Sequence, residues 1–402
     1  MKTMKTQKTQ MVRVILFLLF EIIIHCEYAS SSVEKLAESL NTLKSQLDAL
    51  NIKLTTISKP TVTMTDAEAD KEAAEWLKKA GADSVVTHPS GPMIDKIIKK
   101  MRASKNSGSL DLSDCKLTTL DGFFDLYIMR ETCEQLTSLY IFRNKLTTLP
   151  EAIKTLTKLT ELNVSNNKLT TLPGWIGSLT KLTSLGVSHN PLTTLPASIG
   201  SLINLMTLSV SSNKLTTLPD WIGNFTKLTI LDVSENELTT LPEAIKTLTH
   251  LTFLYIYDNK LTALPEWVGS LTNLTKFYVY DNQLTTLPEA IKNLTHLIKF
   301  NVSRNQLTTL PEWIGSLINL THLDISNNKL TTLPASIGNL TKLQQFCVYD
   351  NQLTTLPSEI ENLAQLSIFC LTGNKLPAKQ INSLQKKFPK LKIMTKGHVS
   401  FF

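Results

Sequence analysis

Four tyrosines form two pairs that repeat at a fixed distance along the chain. Tyr255 and Tyr257 recur with a 23-residue spacing as Tyr278 and Tyr280. A tyrosine ring is rigid and amphipathic, so it contributes both apolar area and hydrogen bonding to recognition of another protein. The chemistry that these residues could perform is therefore binding, and their spacing indicates neighbouring positions in a repeated structure.

Histidine and cysteine, the residue types used most often for catalysis and metal binding, are not arranged for either role. The seven histidines do not group with carboxylates at the spacing of metal ligands, and His250 and His296 have the 46-residue spacing of duplicated positions. The sequence contains no phosphate-binding loop and no H-E-x-x-H, C-x-x-C or G-x-S-x-G motif. We therefore expect no catalytic residue, no metal site and no cofactor, and predict that the protein is not an enzyme.

An asparagine recurs with a 23-residue period within a fixed frame, L-x-x-L-x-L-x-x-N-x-L followed by Leu-Pro. Asparagine carries both a donor and an acceptor, so its side chain can pair with backbone groups that a sharp turn leaves facing the interior. The repeated side chains are predicted to form a structural ladder. Its positions are Asn144, Asn167, Asn190, Asn213, Asn236, Asn259, Asn282, Asn305, Asn328, Asn351 and Asn374, with Cys115 at the equivalent place in a partial first unit.

Each unit contains a short strand, because its apolar residues alternate with polar ones. In the unit at 159–173, Leu162 and Val164 point inward while Glu161, Asn163 and Ser165 point outward. Successive strands are expected to stack in parallel, and the residues after Leu-Pro are expected to return as a short helical or irregular segment on the convex side. No single unit can bury its own apolar face, so stability is shared between neighbours.

The frame resembles the leucine-rich repeat in its proline-containing 23-residue form. It is similar to that of plant intracellular Ras-group-related proteins, Ras-pathway scaffolds and bacterial repeat proteins. The resemblance implies an α/β leucine-rich repeat solenoid, or horseshoe, with a parallel concave sheet, about twelve repeats, a helical N-terminal extension and caps. It also implies protein–protein interaction without a single defined activity.

The chain divides into five predicted segments. They are a signal peptide or leader at 1–31, a coiled-coil-like helix at 32–59, a helical N-terminal cap region at 60–105, the repeat domain at 106–376 and a C-terminal cap at 377–402.

The leader has a basic start, an apolar run and small residues, which is the layout of a secretory signal peptide. Its apolar run, Val14–Ile24, is too short to span a bilayer, which needs about 20 residues. An uncleaved anchor and a merely buried or disordered leader remain alternatives, so membrane contact is expected only through this segment if it is uncleaved.

Residues Val33–Ile57 carry apolar side chains in alternating steps of three and four, which are the a and d positions of a coiled coil. The pattern favours a homo-oligomerising stalk, with a single amphipathic helix as the alternative. After it, Thr65 and Glu68 form a predicted capping box that opens a helix ending near Ala80, and a second helix is expected from Met93 to Ala103.

The net charge of +7 raises the question of nucleic acid binding. The excess of Lys and Arg lies in the leader, the second helix and the C-terminal cap, whereas the repeat region itself is slightly acidic. A nucleic-acid-binding sheet would carry Lys and Arg interleaved with aromatic residues. No nucleic acid partner is therefore expected.

Tryptophans at 46-residue spacing and a cysteine pair complete the pattern. Trp175, Trp221 and Trp267, followed by Trp313, are interpreted as packing between units on the convex side, with a second docking stripe as the alternative. Cys347 and Cys370 occupy the same frame position on adjacent strands. Free thiols are favoured over a disulfide, since in-register parallel strands rarely suit one.

The outward strand positions vary while the frame stays constant, so they are the candidate partner-binding residues. The alternative is that tyrosine simply suits an exposed strand. The predicted binding residues are Phe253, Tyr255, Tyr257, Lys276, Tyr278, Tyr280, Lys299 and Tyr349.

The function that we predict is a protein–protein interaction module that binds a protein ligand on the concave face. It is expected to be secreted or displayed at the cell surface, and to be homo-oligomeric through Val33–Ile57 if that stalk forms. The alternative is a cytoplasmic leucine-rich repeat scaffold for signal transduction, of the Ras-pathway type. The sequence does not identify the ligand.

Overall fold

The structure is a computed structural model that describes residues 65–80, 92–126, 129 and 133–394. The predicted leader at 1–31 and the predicted coiled-coil segment Val33–Ile57 lie outside the described residues. Export and oligomerisation therefore stay predictions.

One parallel sheet runs through the described part of the repeat region. Its thirteen three-residue strands follow the order of the chain, each paired with the next. Equivalent residues of neighbouring repeats face each other, as Leu254 faces Phe277. The strands are β1 (Ser109–Asp111), β2 (Ser138–Tyr140), β3 (Glu161–Asn163), β4 (Ser184–Gly186), β5 (Thr207–Ser209), β6 (Ile230–Asp232), β7 (Phe253–Tyr255), β8 (Lys276–Tyr278), β9 (Lys299–Asn301), β10 (His322–Asp324), β11 (Gln345–Cys347), β12 (Ile368–Cys370) and β13 (Lys392–Met394).

The central side chain of each strand from β1 to β12 is buried, as the alternation predicts. Leu254 in β7 and Phe277 in β8 are buried, while the residues on either side of them are only half-buried. The buried residues of all these repeats join one continuous apolar core. The predicted solenoid with a parallel sheet is thus confirmed, because a unit with one apolar face must pack against its neighbours.

The predicted return segments are 3₁₀-helices. A proline with φ between −75° and −64° precedes each of the ten five-residue ones, and proline suits this place because it fixes φ and has no N–H to satisfy. These helices are Glu151–Thr155, Gly174–Ser178, Ala197–Ser201, Asp220–Asn224, Glu243–Thr247, Glu266–Ser270, Glu289–Asn293, Glu312–Ser316, Ala335–Asn339 and Ser358–Asn362.

Convex packing differs between two kinds of unit. A Cβ added at Gly269 would lie 2.5 Å from the backbone oxygen of Ala290, so only glycine fits there, whereas Lys246 and Lys292 occupy the same position in the neighbouring units. The four tryptophans of the 46-residue period are half-buried against the core. Trp221 also lies against the preceding repeat, since a Cβ added at Gly200 would come within 2.9 Å of the Trp221 Cβ, which agrees with the predicted packing between units.

In the described residues before the sheet there are two helices. The first, α1 (Asp66–Lys79), begins with the predicted capping box, in which the Thr65 side chain accepts from the Glu68 N–H and the Glu68 carboxylate accepts from the Thr65 N–H. The second, α2 (Pro92–Ser107), continues four residues past the predicted end at Ala103. It stops only at Gly108, whose φ of +66° is the left-handed conformation that ends helices.

Both ends of the repeat core are covered. Leu77 of α1 and Ile97 and Met101 of α2 are buried in the apolar core, and Lys100 of α2 pairs with Asp111 at 3.1 Å. After β12, the helix α3 (Ala378–Lys387) contributes the buried Leu384, and β13 closes the sheet. Within the described residues, no helix has the length and apolar character needed to cross a bilayer.

Candidate functional site

The ladder asparagines hold the turns that follow the strands. Asn259 donates through Nδ2 to the backbone oxygens of Val233, Ile256 and Tyr257 at 3.1 to 3.2 Å, and its Oδ1 accepts from the Leu238 N–H at 3.0 Å. The same four bonds recur at each asparagine from Asn144 to Asn351, where the side chain joins one repeat to the one before it. One side chain thus satisfies interior backbone groups from two repeats.

Cys115 lies at the ladder position of the first repeat but makes fewer bonds. Its Sγ donates to the backbone oxygen of Ser113 at 3.4 Å, and burial raises the pKa of its thiol to about 11. A thiol is a weak donor and acceptor, so it fits the end of the ladder, where the sheet begins.

The residue before each ladder asparagine adopts a left-handed conformation. From Arg143 to Asp350 these residues have φ between +50° and +56°, and together we call them the turn row. Glycine usually occupies such positions, although Asn and Asp tolerate them. The turn row brings side chains of consecutive repeats side by side at one edge of the concave sheet.

The structure brings five of the predicted binding residues into one cluster, the aromatic patch, made of Phe253, Tyr255, Tyr257, Tyr278 and Tyr280. The Tyr257 and Tyr280 rings stack with centroids 4.4 Å apart and planes 4° apart. The ring centroid of Tyr255 lies 5.2 Å from that of Tyr278 and 6.3 Å from that of Phe253. Their strands pair in register, so the 23-residue spacing in the sequence becomes ring contact in space.

Burial raises the pKa of each tyrosine in the patch. The pKa of Tyr278 rises to about 12, because burial and the neighbouring Tyr255 disfavour the phenolate. The Tyr257 pKa is raised by burial first and then by the charges of Asp232 and Glu235. The rings are half-buried in the structure, and the charges of the nearby acidic side chains disfavour their phenolate forms.

The remaining predicted binding residues lie around the patch. Lys276 places its Nζ 4.6 Å from the Phe253 ring centroid, and Lys299 is its partner in register on β9. Tyr349 follows β11, three strands beyond the strand of Tyr278, and its pKa is raised by burial and then by Asp324. The predicted set therefore separates into the patch with its two lysines and the outlying Tyr349.

Acidic residues beside the patch were not among the predicted binding residues. Asp232 lies on β6, and Glu235, Asp258 and Asp281 occupy consecutive places in the turn row. The signal for the last three is in the sequence, since each directly precedes a ladder asparagine.

A second part of the concave sheet carries small side chains in place of rings. We call it the serine floor, and it consists of Ser165, Gly186, Ser188, Ser209 and Ser211. Ser188 Oγ lies 2.7 Å from Ser209 Oγ and accepts from the Ser211 hydroxyl at 2.9 Å. These hydroxyls mostly bond one another across strands, and they line a shallow depression.

The two cysteines at equivalent positions are buried and free. Cys347 Sγ lies 3.0 Å from Cys370 Sγ, and that contact with burial raises the pKa of the Cys347 thiol. Among the described residues, no group of three or more His, Cys, Asp or Glu side chains could hold a metal ion.

A solenoid of stacked strand-and-turn units, held by an asparagine ladder, is the class of protein that this fold defines. The sequence matches the family described as "Leucine-rich repeat region" over residues 134–237 and 198–301, and "Leucine Rich repeats (2 copies)" over 295–338 and 318–362. A leucine-rich repeat protein of Leptospira interrogans is 33% identical, with 71% of this chain and 83% of that chain covered and a TM-score of 0.55. The chain belongs to the leucine-rich repeat family.

Two plant receptors are also similar. The leucine-rich repeat ectodomain of the membrane receptor kinase GASSHO1/SCHENGEN3 from Arabidopsis thaliana, in complex with CASPARIAN STRIP INTEGRITY FACTOR 2, is 28% identical over 71% of this chain, with a TM-score of 0.56. The plant peptide hormone receptor RGFR1, in complex with RGF2, is 30% identical over 67% of this chain, with a TM-score of 0.58. The chain spans only 38% and 44% of those two receptor chains. No curated protein sequence matches.

Proposed function

We propose that this protein binds an extended protein or peptide segment on its concave sheet, with the aromatic patch as the principal contact. The observation that carries the proposal is the cluster of five half-buried rings in two adjacent repeats, in a sheet whose other outward positions are mostly small or polar. Rings of this kind dominate the energetics of protein interfaces because they bury large apolar areas with little loss of side-chain freedom.

Two of the similar structures support a ligand of this class. GASSHO1/SCHENGEN3 and RGFR1 are each in complex with a named partner, and the second is a peptide hormone receptor. Leucine-rich repeat solenoids generally provide extended binding surfaces. These relatives cover the present chain only in part, so their partners are not assigned to it.

In the test, the full chain is immobilised, and peptides that bind it are selected from a random dodecapeptide library. Replacing Tyr255, Tyr257, Tyr278 and Tyr280 together by Ala is expected to weaken binding of the selected peptides about 100-fold or more. The matched control replaces Ser165, Ser188, Ser209 and Ser211 by Ala, which changes as many outward positions on the serine floor. We expect the control to bind within about 3-fold of the wild type, because typically only a minority of contact residues dominate binding.

Far-UV circular dichroism and thermal unfolding check that the four-tyrosine variant folds. A folded variant that binds the selected peptides as well as the wild type does would refute the assignment to the patch. A serine-floor variant that loses binding while the tyrosine variant keeps it would transfer the site to the other part of the sheet.

We also propose that the protein is exported or displayed at the cell surface and that Val33–Ile57 clusters it into homo-oligomers. The leader-like residues 1–31 and the a/d pattern support these statements. Mass spectrometry of the protein from its own cells is expected to find the leader removed, whereas an intact N-terminus would favour the cytoplasmic signalling scaffold. Light scattering of the full chain is expected to give a multiple of the monomer mass, and a monodisperse monomer would rule out the stalk.

A further inference from the structure

Charge is separated across the aromatic patch. Lys276 and Lys299 begin their strands at one edge. At the other edge lie Glu235, Asp258 and Asp281, three consecutive members of the turn row, which we call the acidic rim. The patch therefore has a cationic edge and an anionic edge, and a partner that lies on it is oriented by both.

Backbone hydrogen bonds fix the spacing of the acidic rim. The Asn236 N–H donates to the backbone oxygen of Asp258, and the Asn259 N–H donates to the backbone oxygen of Asp281, both at 3.1 Å. Consecutive repeats are therefore held about 4.8 Å apart at this row, the distance between paired strands. The backbones of these three residues cannot separate without breaking the turns that the ladder holds, so their carboxylates stay in neighbouring repeats.

This part of the chain supplies little positive charge to the rim. Arg304 pairs with Asp281 at 3.0 Å. In the described parts of the chain, neither Glu235 nor Asp258 forms an ion pair; Glu235 instead accepts a hydrogen bond from the Ser212 hydroxyl at 2.7 Å. The pKa of Asp258 is raised by burial and then by the charges of Asp281 and Glu235, which is the response of a carboxylate among like charges.

The stacked Tyr257 and Tyr280 rings adjoin this rim. The charge of Glu235 acts on both phenols, and that of Asp281 acts on Tyr280. The face of an aromatic ring is negative in its charge distribution and attracts cations. Lys276 over the Phe253 ring shows that a cation rests on a ring of this patch at the opposite edge.

We propose that the segment bound on the aromatic patch carries an arginine or lysine side chain, which lies against the stacked Tyr257 and Tyr280 rings and is neutralised by Glu235 and Asp258. This inference rests on the proposed function and names the chemistry of its partner. Charge complementarity selects the occupant, because the rim combines aromatic faces with two carboxylates, Glu235 and Asp258, that form no ion pair in the described residues, and both features attract a cation. An acidic segment would have to lie beside the same carboxylates to reach the tyrosine pair.

The test compares peptide selections on three forms of the full chain: the wild type, Glu235→Gln with Asp258→Asn, and Glu235→Arg with Asp258→Arg. Arginine is compatible with the backbone here, since Arg143 and Arg304 occupy the same place in other repeats. On the wild type we expect enrichment of Arg and Lys over the unselected library. Replacing the enriched cation by Gln in a synthetic peptide should weaken its binding at least 10-fold.

The neutral double variant should bind that peptide at least 10-fold more weakly, and the arginine variant should select peptides that carry Asp or Glu. Asp350→Asn, at the same frame position but outside the patch, is the control and should bind as the wild type does. Peptides that depend on the four tyrosines but show no enrichment of cations, or that bind equally well after the Gln replacement, would overturn this inference and leave the proposed function standing. If no selected peptide depends on the tyrosines, both fail together.

Discussion

The serine floor and the aromatic patch are built on the same backbone yet present different chemistry. At the serine floor, Asn190 donates to three backbone oxygens and accepts from the Leu169 N–H at 3.0 Å, as Asn259 does beside the patch with Leu238. The turn residues are equally alike, with φ of +52° at His189 and +51° at Asp258. The comparison teaches that the repeat frame determines shape, while the outward positions can change without changing the fold.

Removal of a ladder asparagine is the change with the largest expected effect. Asn190→Ala and Asn259→Ala should each reduce the free energy of unfolding by about 3 kcal/mol, because each leaves buried backbone groups without partners. Urea unfolding of the full chain measures both. Lys214→Ala, an exposed change in the same frame, should stay within about 0.5 kcal/mol of the wild type.

The reductions in the free energy of unfolding caused by Asn190→Ala and Asn259→Ala should agree, since the repeat frame is common to both parts of the sheet. A difference of more than about 1 kcal/mol between Asn190→Ala and Asn259→Ala would show that the rings of the patch contribute to the frame.

Grafting rings onto the serine floor tests the comparison directly. Ser188 and Ser211 occupy the frame position of Tyr257 and Tyr280, so Ser188→Tyr with Ser211→Tyr should give a stacked pair in a crystal structure. The variant should lose about 1 to 2 kcal/mol of stability, because the bonds of the Ser211 N–H and hydroxyl to Ser188 Oγ disappear.

Ser188→Ala with Ser211→Ala removes the same hydrogen bonds without adding rings, and it should lose a similar amount. If the grafted rings splay apart, the stacking at Tyr257 and Tyr280 depends on more than the repeat frame.

Alkaline pH should affect the aromatic patch and not the serine floor. The pKa of Tyr278 is raised from 10 to about 12, so the folded state keeps a proton that the unfolded state loses. Stability from this group is complete below pH 10 and is lost as the pH rises towards 12. The free energy of unfolding, measured with urea across this pH range, should decline less steeply in Tyr278→Phe than in the wild type. In an absorbance titration, the variant should show one fewer phenol that titrates late.

An equal decline in wild type and Tyr278→Phe would show that other groups govern the alkaline loss. Ser209→Ala, on the serine floor, should leave the absorbance titration unchanged.

The smallest expected effect belongs to the lysine at the edge of the patch. Lys276→Met keeps the apolar stem but removes the charge 4.6 Å from the Phe253 ring centroid, and should cost about 0.5 to 1 kcal/mol. Thermal unfolding of Lys276→Met, Phe253→Leu and the double variant measures the coupling. Additive losses would show that the charge and the ring do not interact.

The sequence predicted the fold closely because its signals are local and repeated. The Leu162 and Val164 alternation, the asparagine of each repeat and the proline before each return segment all constrain a single unit, and repetition extends the result to the sheet. The end of α2 was misjudged at Ala103, because polar residues up to Ser107 carry no stop signal until Gly108.

The candidate site was predicted only in part. The register of the repeats was enough to place Tyr255, Tyr257, Tyr278 and Tyr280 together. The acidic rim was missed because a residue before a ladder asparagine is expected from the sequence to lie in a loop. The left-handed turn that places it beside the rings is seen only in the structure.

The sequence by itself determined the solenoid, its parallel strands and which residues face outward, since the alternation within each strand and the 23-residue repeat leave little freedom in how units stack. Only the tertiary structure decided how closely, and in which orientation, the outward residues touch. Ring stacking at 4.4 Å and the pairing of Arg304 with Asp281 depend on the distance and tilt between neighbouring strands, and these arise when whole repeats pack against one another.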